Sequence, residues 1–256
     1  MRNIIFTDID GTLAIGREIP ESAVRALNAV RDRGDLVFLC TGRNPSYVTK
    51  WFHDIADGFI CANGRYAFMG DTVLYDHPIE AAPFQRIYDT VLARDGGLLM
   101  CGVTAGYYAG SEEGGEWFLK AHPGEEMRCL TSGLPDEPIY IFDVFFPTGC
   151  VRHQLEVELC DICLFNPHGP IPTADVTVYG HDKGTAIEQV CQSLQIDRNH
   201  SYAFGDGKND LCMFNVVGHS IAMGNAMDVL KEQAEFVTTG IHDDGIHNGL
   251  IHYGLI

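Results

Sequence analysis

No stretch of this 256-residue chain strings together the roughly 20 apolar residues that a membrane helix needs. Basic residues are scarce: 17 Lys and Arg stand against 35 Asp and Glu, a net charge of −18. A field of that sign repels nucleic acid and anionic bilayers, so neither is expected as a partner. A small anion is still admissible, because a local cluster of cations or a metal reverses the sign at a site. A basic N-terminal segment leading into a short apolar stretch is also missing, and a cytoplasmic protein is expected. The first apolar strand is not followed by Gly-x-Gly-x-x-Gly, which disfavours a dinucleotide-binding fold. Internal repeats and low-complexity segments are absent. The nine cysteines, an odd number scattered singly, suit reduced buried thiols better than a disulfide framework. One close pair, Cys160 and Cys163 in "LCDICLF", has no second pair to complete a zinc site. It reads as part of a strand, with the two thiols on opposite sides.

What is present begins with alternation. "NIIF" is the start of a buried strand. "IPESAVRALNAVRDRGD" carries Ala23, Leu27 and Val30 at helical spacing between Pro20 and Gly34. "LVFLC" is a short unbroken apolar strand, "PSYVTKWFHDI" a helix and "GFICANG" a third strand. Short apolar strands separated by helices predict a parallel sheet with right-handed crossovers. From about Ala82 to Tyr179 the rhythm breaks into glycine-rich loops ("GGLLMCGVTAGYYAGSEEGGEW"), prolines and alternating stretches such as "IYIFDVFFP". After "GHDKG" it resumes, with a helix over 183–194, the strand "SYAFGDG", a helix over 209–216, the strand "SIAM", a helix over 226–233, the strand "FVTT" and a last helix from about Asp244. The expected architecture is an α/β, Rossmann-like core built from 1–81 and 180–256, with an α+β domain, 82–179, inserted in it.

In an open parallel sheet, ligands sit at the carboxyl ends of the strands, near the point where strand order reverses. The polar residues there are Asp8 and Asp10, Thr41 and Arg43, Asn63 and Arg65, and Asp206, Lys208, Asn209 and Asp210 of "GDGKND"; Lys183 opens the helix after the insertion. Singly, each is an ordinary cap or turn former. The pair Asp8/Asp10 is not, because like charges so close at the end of a buried strand need a cation between them or a shared proton. Asp206 and Asp210 add carboxylate oxygens suited to a hard ion such as magnesium. Lys, Thr and the N–H groups of glycine turns suit phosphoryl oxygens.

"DIDGT", Thr41-Gly42, Lys183 and "GDGKND" resemble, in order, the four motifs of the haloacid dehalogenase superfamily. "ANG" (62–64), "DKGTAI" (182–187), "AMGNA" (222–226) and "DDGI" (243–246) are similar to the Cof-type phosphatases, whose class IIB cap occupies the place of the insertion. The resemblance implies that Asp8 is a nucleophile forming an aspartyl-phosphate. It implies that Asp10 is the general acid/base, its carbonyl also on the metal. Thr41, Gly42, Asn63 and Lys183 would hold phosphoryl oxygens, with Lys183 offsetting the charge of Asp8. Mg²⁺ would sit among Asp8, Asp10, Asp206 and Asp210, and Asn209 would support metal and phosphate. The implied substrate is a small phosphorylated metabolite, sugar phosphates included, and the chain is expected to be a monomer or homodimer.

Two positions have two readings each. Arg65, where such proteins commonly carry a small residue, is either a solvated hairpin arginine or a cation that reads a second anionic group. Arg43 divides the same way. His242, His247 and His252, five apart, fall on different helix faces and are expected to be structural. A phosphomutase of the phosphomannomutase type shares fold and cap. It would need a cation-rich substrate pocket, whereas the insertion holds only Arg86, Arg94, Lys120, Arg128 and Arg152 amid many acids. A non-catalytic metabolite-binding protein on this fold would be expected to lack Asp8, Asp10 or Lys183, and all three are present.

Overall fold

The computed structural model describes residues 2–121, 126–131 and 133–256. Two compact units emerge. The first contains Met1–Arg43, Val48–Asp76 and His181–Ile256, the second Asn44–Tyr47 and His77–Gly180. Among the described residues no helix is long and apolar enough to cross a membrane.

The first unit starts with β1 (Ile4–Thr7), α1 (Glu21–Asp32) and β2 (Leu36–Cys40), then all but the first turn of α2 (Pro45–Phe52), β3 (Gly58–Cys61), β4 (Tyr66–Met69) and β5 (Thr72–Asp76). Every residue of β1, β2 and β3 is buried, as required of strands covered on both faces. Ala23, Ala26, Leu27 and Val30 of α1 turn inward at helical spacing, and Gly34 ends the helix at φ +85°. Burying Leu27 and Val30 contributes about 1.5–3 kcal/mol each.

The second unit contains α3 (Ala81–Leu92), β6 (Gly97–Cys101), β7 (Gly106–Ala109), α4 (Glu112–Ala121), β8 (Met127–Cys129), β9 (Ile141–Phe145), α5 (Gly149–Glu158), β10 (Cys163–Pro167) and β11 (Thr173–Val178). Its sheet has the order β10-β11-β9-β6-β7-β8 and is antiparallel except for β7–β8. Leu98, Met100, Phe142, Val144 and Val176 form one face and pack with Ile87 and Val91 of α3 and Leu155 of α5. Ile79 joins this core, and its N–H bonds the Ile139 carbonyl at 2.7 Å, so the junction falls at Asp76/His77, ahead of the change in sequence rhythm.

Two local expectations are corrected here. The glycine-rich run 96–110 is not a set of loops but the hairpin β6–β7, because Gly97, Gly114 and Gly115 leave room for the Tyr108 ring. Nor do Cys160 and Cys163 lie on one strand. Cys160 is exposed in the turn after α5, where the N–H groups of Ile162 and Cys163 both bond the Leu159 carbonyl, and Cys163 opens β10 with its thiol buried.

The chain returns to the first unit with α6 (Lys183–Leu194), β12 (Ser201–Gly205), α7 (Leu211–Val216), β13 (His219–Ala222), α8 (Asp228–Lys231), β14 (Phe236–Val237) and α9 (Gly245–His252). The eight-stranded sheet has the order β14-β13-β12-β1-β2-β3-β4-β5, parallel from β14 to β3 and antiparallel beyond. Strand order therefore reverses at β1/β12, and both strands end there on aspartates, Asp8 and Asp206.

Candidate active site

Lys183 is the centre of the cluster. It is the first residue of α6, whose preceding Asp182 caps the helix by accepting from the Thr185 N–H at 2.8 Å. Its ammonium, 1% exposed, donates to Asp8 Oδ1 at 2.6 Å and Asp210 Oδ1 at 2.7 Å. Asp210 is fully buried and its second oxygen accepts the N–H groups of Asp206 and Gly207, both at 3.0 Å. Asp206 accepts from the Thr12 hydroxyl at 2.7 Å. Carboxylate oxygens of Asp8, Asp206 and Asp210 come within 4.8 Å of one another.

Burial holds the Asp8 carboxyl above the ordinary carboxylate range. Lys183 pulls it back, while Asp210 and Asp206 push it further up. For Lys183 burial works against the charge, but Asp210 and Asp8 together outweigh it and keep the ammonium protonated. Burial also raises Asp206, with Thr12 opposing and Asp210 adding. One ammonium among two buried carboxyl groups and a half-buried one leaves the cluster short of positive charge, and oxygen donors in that number fit a hard divalent cation.

Asp10 lies outside this cluster. Its carboxylate is half-exposed and takes the Arg43 fork, Nε to Oδ2 at 3.0 Å and Nη2 to Oδ1 at 3.1 Å. The two carboxylates of "DIDGT" therefore have separate basic partners in the chain, Lys183 for Asp8 and Arg43 for Asp10. Such a bidentate arginine clamp was not legible from spacing, since the partners are 33 residues apart.

The other strand ends are zipped together. The Thr41 N–H bonds the Ile60 carbonyl at 2.8 Å, the Ala62 N–H bonds that of Arg43 at 2.9 Å, and the Asn63 N–H bonds that of Thr41 at 3.1 Å. Thr41 is buried, with its hydroxyl oxygen accepting the Arg43 N–H at 3.1 Å. Asn63 takes the left-handed conformation (φ 51°), which Asn tolerates better than most residues. Its Oδ1 is buried with no hydrogen-bond partner, and a Cβ on Gly42 would stand 3.1 Å from it. An orphaned acceptor at a strand end suits a ligand-binding edge. Asn209 is exposed, next in the chain to the buried Asp210. Arg65, 5% exposed, is no surface arginine: its N–H closes the 62–64 turn on Cys61 and Ala62, and its charge reaches Tyr75 of β5. His242, His247 and His252 form no metal cluster among the described residues.

Two glycines set the tolerances. A Cβ on Gly11 (φ +90°) would overlap the Asp206 carboxylate. One on Gly64 (φ +94°) would overlap the Asp182 carbonyl and stand 2.6 Å from the Lys183 nitrogen. Gly64→Ala is thus expected to cost about 2–5 kcal/mol from left-handed strain and overpacking, and to lower any activity that depends on Lys183. Denaturant unfolding and turnover measured together check this; a neutral substitution would show that the two loops are not in contact.

Sequence reasoning missed Thr12, although it stands in the quoted "DIDGT", and Asn225 of "AMGNA". Both act through contacts between segments distant in the chain.

The chain is similar to known proteins over nearly its whole length. Residues 5–250 match the family of haloacid dehalogenase-like hydrolases, and the chain belongs to it. It is 45% identical over 275 residues to the 5-amino-6-(5-phospho-D-ribitylamino)uracil phosphatase YwtE of Bacillus subtilis, with 94% of each chain covered. The Bacillus subtilis protein YkrA is 29% identical over 273 residues, covering 99% of this chain and 98% of the relative. Among solved structures, a Geobacillus kaustophilus protein superposes with a TM-score of 0.89 at 27% identity over 100% of both chains. The subclass IIB sugar phosphatase BT4131 does so with 0.81 at 25% identity, over 99% of this chain and 100% of that one.

Proposed function

We propose that this protein is a magnesium-dependent phosphatase acting on a primary phosphate ester of a polyhydroxylated small metabolite. The observation that carries the reading is the buried Lys183 bridge between Asp8 and Asp210, beside Asp206 at the strand-order reversal. Asp8 and Asp206 would hold the ion, with Asp210 bracing them, since both Asp210 oxygens are already engaged. When bound, the metal neutralises carboxylate charge and draws a phosphoryl oxygen toward the nucleophile.

The residues divide the work. A carboxylate oxygen of Asp8 attacks phosphorus as the bond to the ester oxygen breaks, giving an aspartyl-phosphate. The leaving oxygen takes a proton from the Asp10 carboxyl. Asp10, now a carboxylate, accepts a proton from water as that water attacks the same phosphorus, releasing phosphate and restoring Asp8. Lys183 and Thr41 stabilise charge on the phosphoryl oxygens, for phosphoryl transfer is mostly positioning and charge stabilisation.

The alternative of a phosphomutase needs cations to grip a second phosphate. The second unit's five basic side chains are each already paired with a carboxylate of that unit: Arg86 with Asp161, Arg94 with Glu158, Lys120 with Glu116, Arg128 with Glu126 and Arg152 with Glu156. This favours hydrolysis. The polyol preference rests on the names of two relatives, one a sugar phosphatase and one acting on a phosphoribityl compound.

The test is phosphate release from hexose 6-phosphates, ribitol 5-phosphate, the phosphoribitylaminouracil and p-nitrophenyl phosphate, with Mg²⁺ and with EDTA. Turnover of at least one polyol ester above the aryl ester, lost in EDTA, is expected. Undiminished activity in EDTA would overturn the metal assignment, and no release from any ester would overturn the reading.

A further inference from the structure

The segment "AMGNA" after β13 sits between two parts of the site. On one side its backbone holds the β12 end: the Met223 N–H bonds the Gly205 carbonyl at 3.0 Å and the Met227 N–H bonds that of Asp206 at 2.9 Å. On the other, the Gly224 N–H bonds the Thr239 carbonyl at 2.9 Å, and a Cβ at Gly224 would stand 2.6 Å from the Gly240 nitrogen. Neither set of bonds reaches the turn after β1. That link is made by one side chain. Asn225 Nδ2 donates to the Gly11 carbonyl at 2.8 Å, while its Oδ1 accepts the Ile241 N–H at 2.9 Å. A carbonyl at one end and an N–H at the other leave the amide a single orientation.

Gly11 stands between Asp10 and Thr12, and its own N–H is spent inside the turn on the Ala14 carbonyl at 2.9 Å. From outside, besides the Arg43 fork on the Asp10 carboxylate, the turn is held by two further side-chain bonds, Thr12 to Asp206 and Asn225 to Gly11. Both lead back to the loops that follow β12 and β13. We propose that Asn225 is a positioning residue, tying the Asp10–Thr12 turn to the loop that carries Asp206. The mechanistic consequence rests on the phosphatase reading above: misplacing Asp10 slows proton transfer to the leaving oxygen, and an ångström of misplacement can cost about 100-fold.

Asn225 is exposed, with an exposed bond to Gly11 and a part-buried one from Ile241, and this separates its role from a structural one, because their loss leaves the buried core intact. Asn225→Asp has the same shape and keeps the acceptor for Ile241 but loses the donor to Gly11; Asn225→Ala loses both. In Mg²⁺, kcat on an alkyl phosphate is expected to fall about 10- to 100-fold in both variants. The fall should be smaller for single-turnover release of p-nitrophenol, a leaving group that needs no proton, and KM should change little. Backbone hydrogen exchange at Gly11–Leu13 should quicken about 10-fold or more relative to β1, with the melting temperature nearly unchanged. Wild-type kcat and wild-type exchange in the variants would overturn the proposal, as would activity lost only in step with folded protein. If the wild-type chain releases no phosphate, the phosphatase reading falls, and the exchange measurement still decides whether Asn225 ties the turn.

Discussion

Asp8→Asn is expected to abolish phosphate release, by about 10³-fold or more, and to melt no lower than the wild-type chain in the absence of metal. The two halves come from the same contact. Asn keeps a carbonyl oxygen for the Lys183 ammonium but removes a carboxyl group that burial and two other aspartates disfavour as an anion. Linkage gives the sign. A carboxyl raised in the folded chain binds more protons there than in the unfolded chain, between its ordinary and its raised range. Its contribution to metal-free stability therefore falls as pH rises through that window, and Asn at position 8 removes that slope. Turnover assays and thermal melts at several pH values in EDTA are the measurement. Near wild-type hydrolysis by purified Asp8→Asn would sink the covalent mechanism, and a collapsed melting temperature would make Asp8 a structural residue.

Lys183→Met reverses the balance. It leaves Asp8 and Asp210 buried without their shared cation, and breaking a buried pair in this way costs about 3–5 kcal/mol. Activity should disappear as well, but stability is the sharper readout. Adding Asp8→Asn to Lys183→Met removes one of the stranded charges and should recover part of the loss, a coupling that a double-mutant cycle reads directly. Mg²⁺ should recover part of it too, by supplying the missing charge. A neutral Lys183→Met would mean that the carboxyl groups are protonated at no cost and that the bridge does not hold the site together.

These two residues were readable from the sequence, and so was the edge on which they lie. β2 is a short unbroken apolar run and β1 and β12 are mostly apolar, and a polar residue directly after such a strand has one place to go, the carboxyl end of the sheet. The helix over 183–194 was legible because capping, spacing and length agree. What escaped the sequence depends on pairing between distant segments. Asp10 meets Arg43 and Thr12 meets Asp206 because β1, β2 and β12 are neighbours in the sheet, which no local pattern states. Arg65 had two readings, solvated or substrate-reading, and the turn at 62–64 fixes its backbone while the side chain is buried. The β6–β7 hairpin was hidden by glycines that ordinarily weaken strands and here clear space for Tyr108. Cys160 and Cys163 were misplaced for a similar reason, since the Leu159 carbonyl takes two N–H groups and turns the chain where apolar residues suggested continuity.

The Tyr75 hydroxyl and His181 Nδ1, 2.7 Å apart, join the end of β5 to the residues just ahead of α6. The excursion through residues 77–180 thus leaves the first unit and re-enters it at one neck. Closing a loop of about 100 residues there costs entropy only as the logarithm of its length, so doubling the excursion would add about 0.6 kcal/mol. The first unit is for that reason nearly indifferent to how long the inserted segment is or what it contains. A lineage can lengthen, shorten or rewrite residues 77–180 while the strand order and the aspartates at its reversal stay in register. Modularity of this kind lets the inserted unit change while the first is inherited.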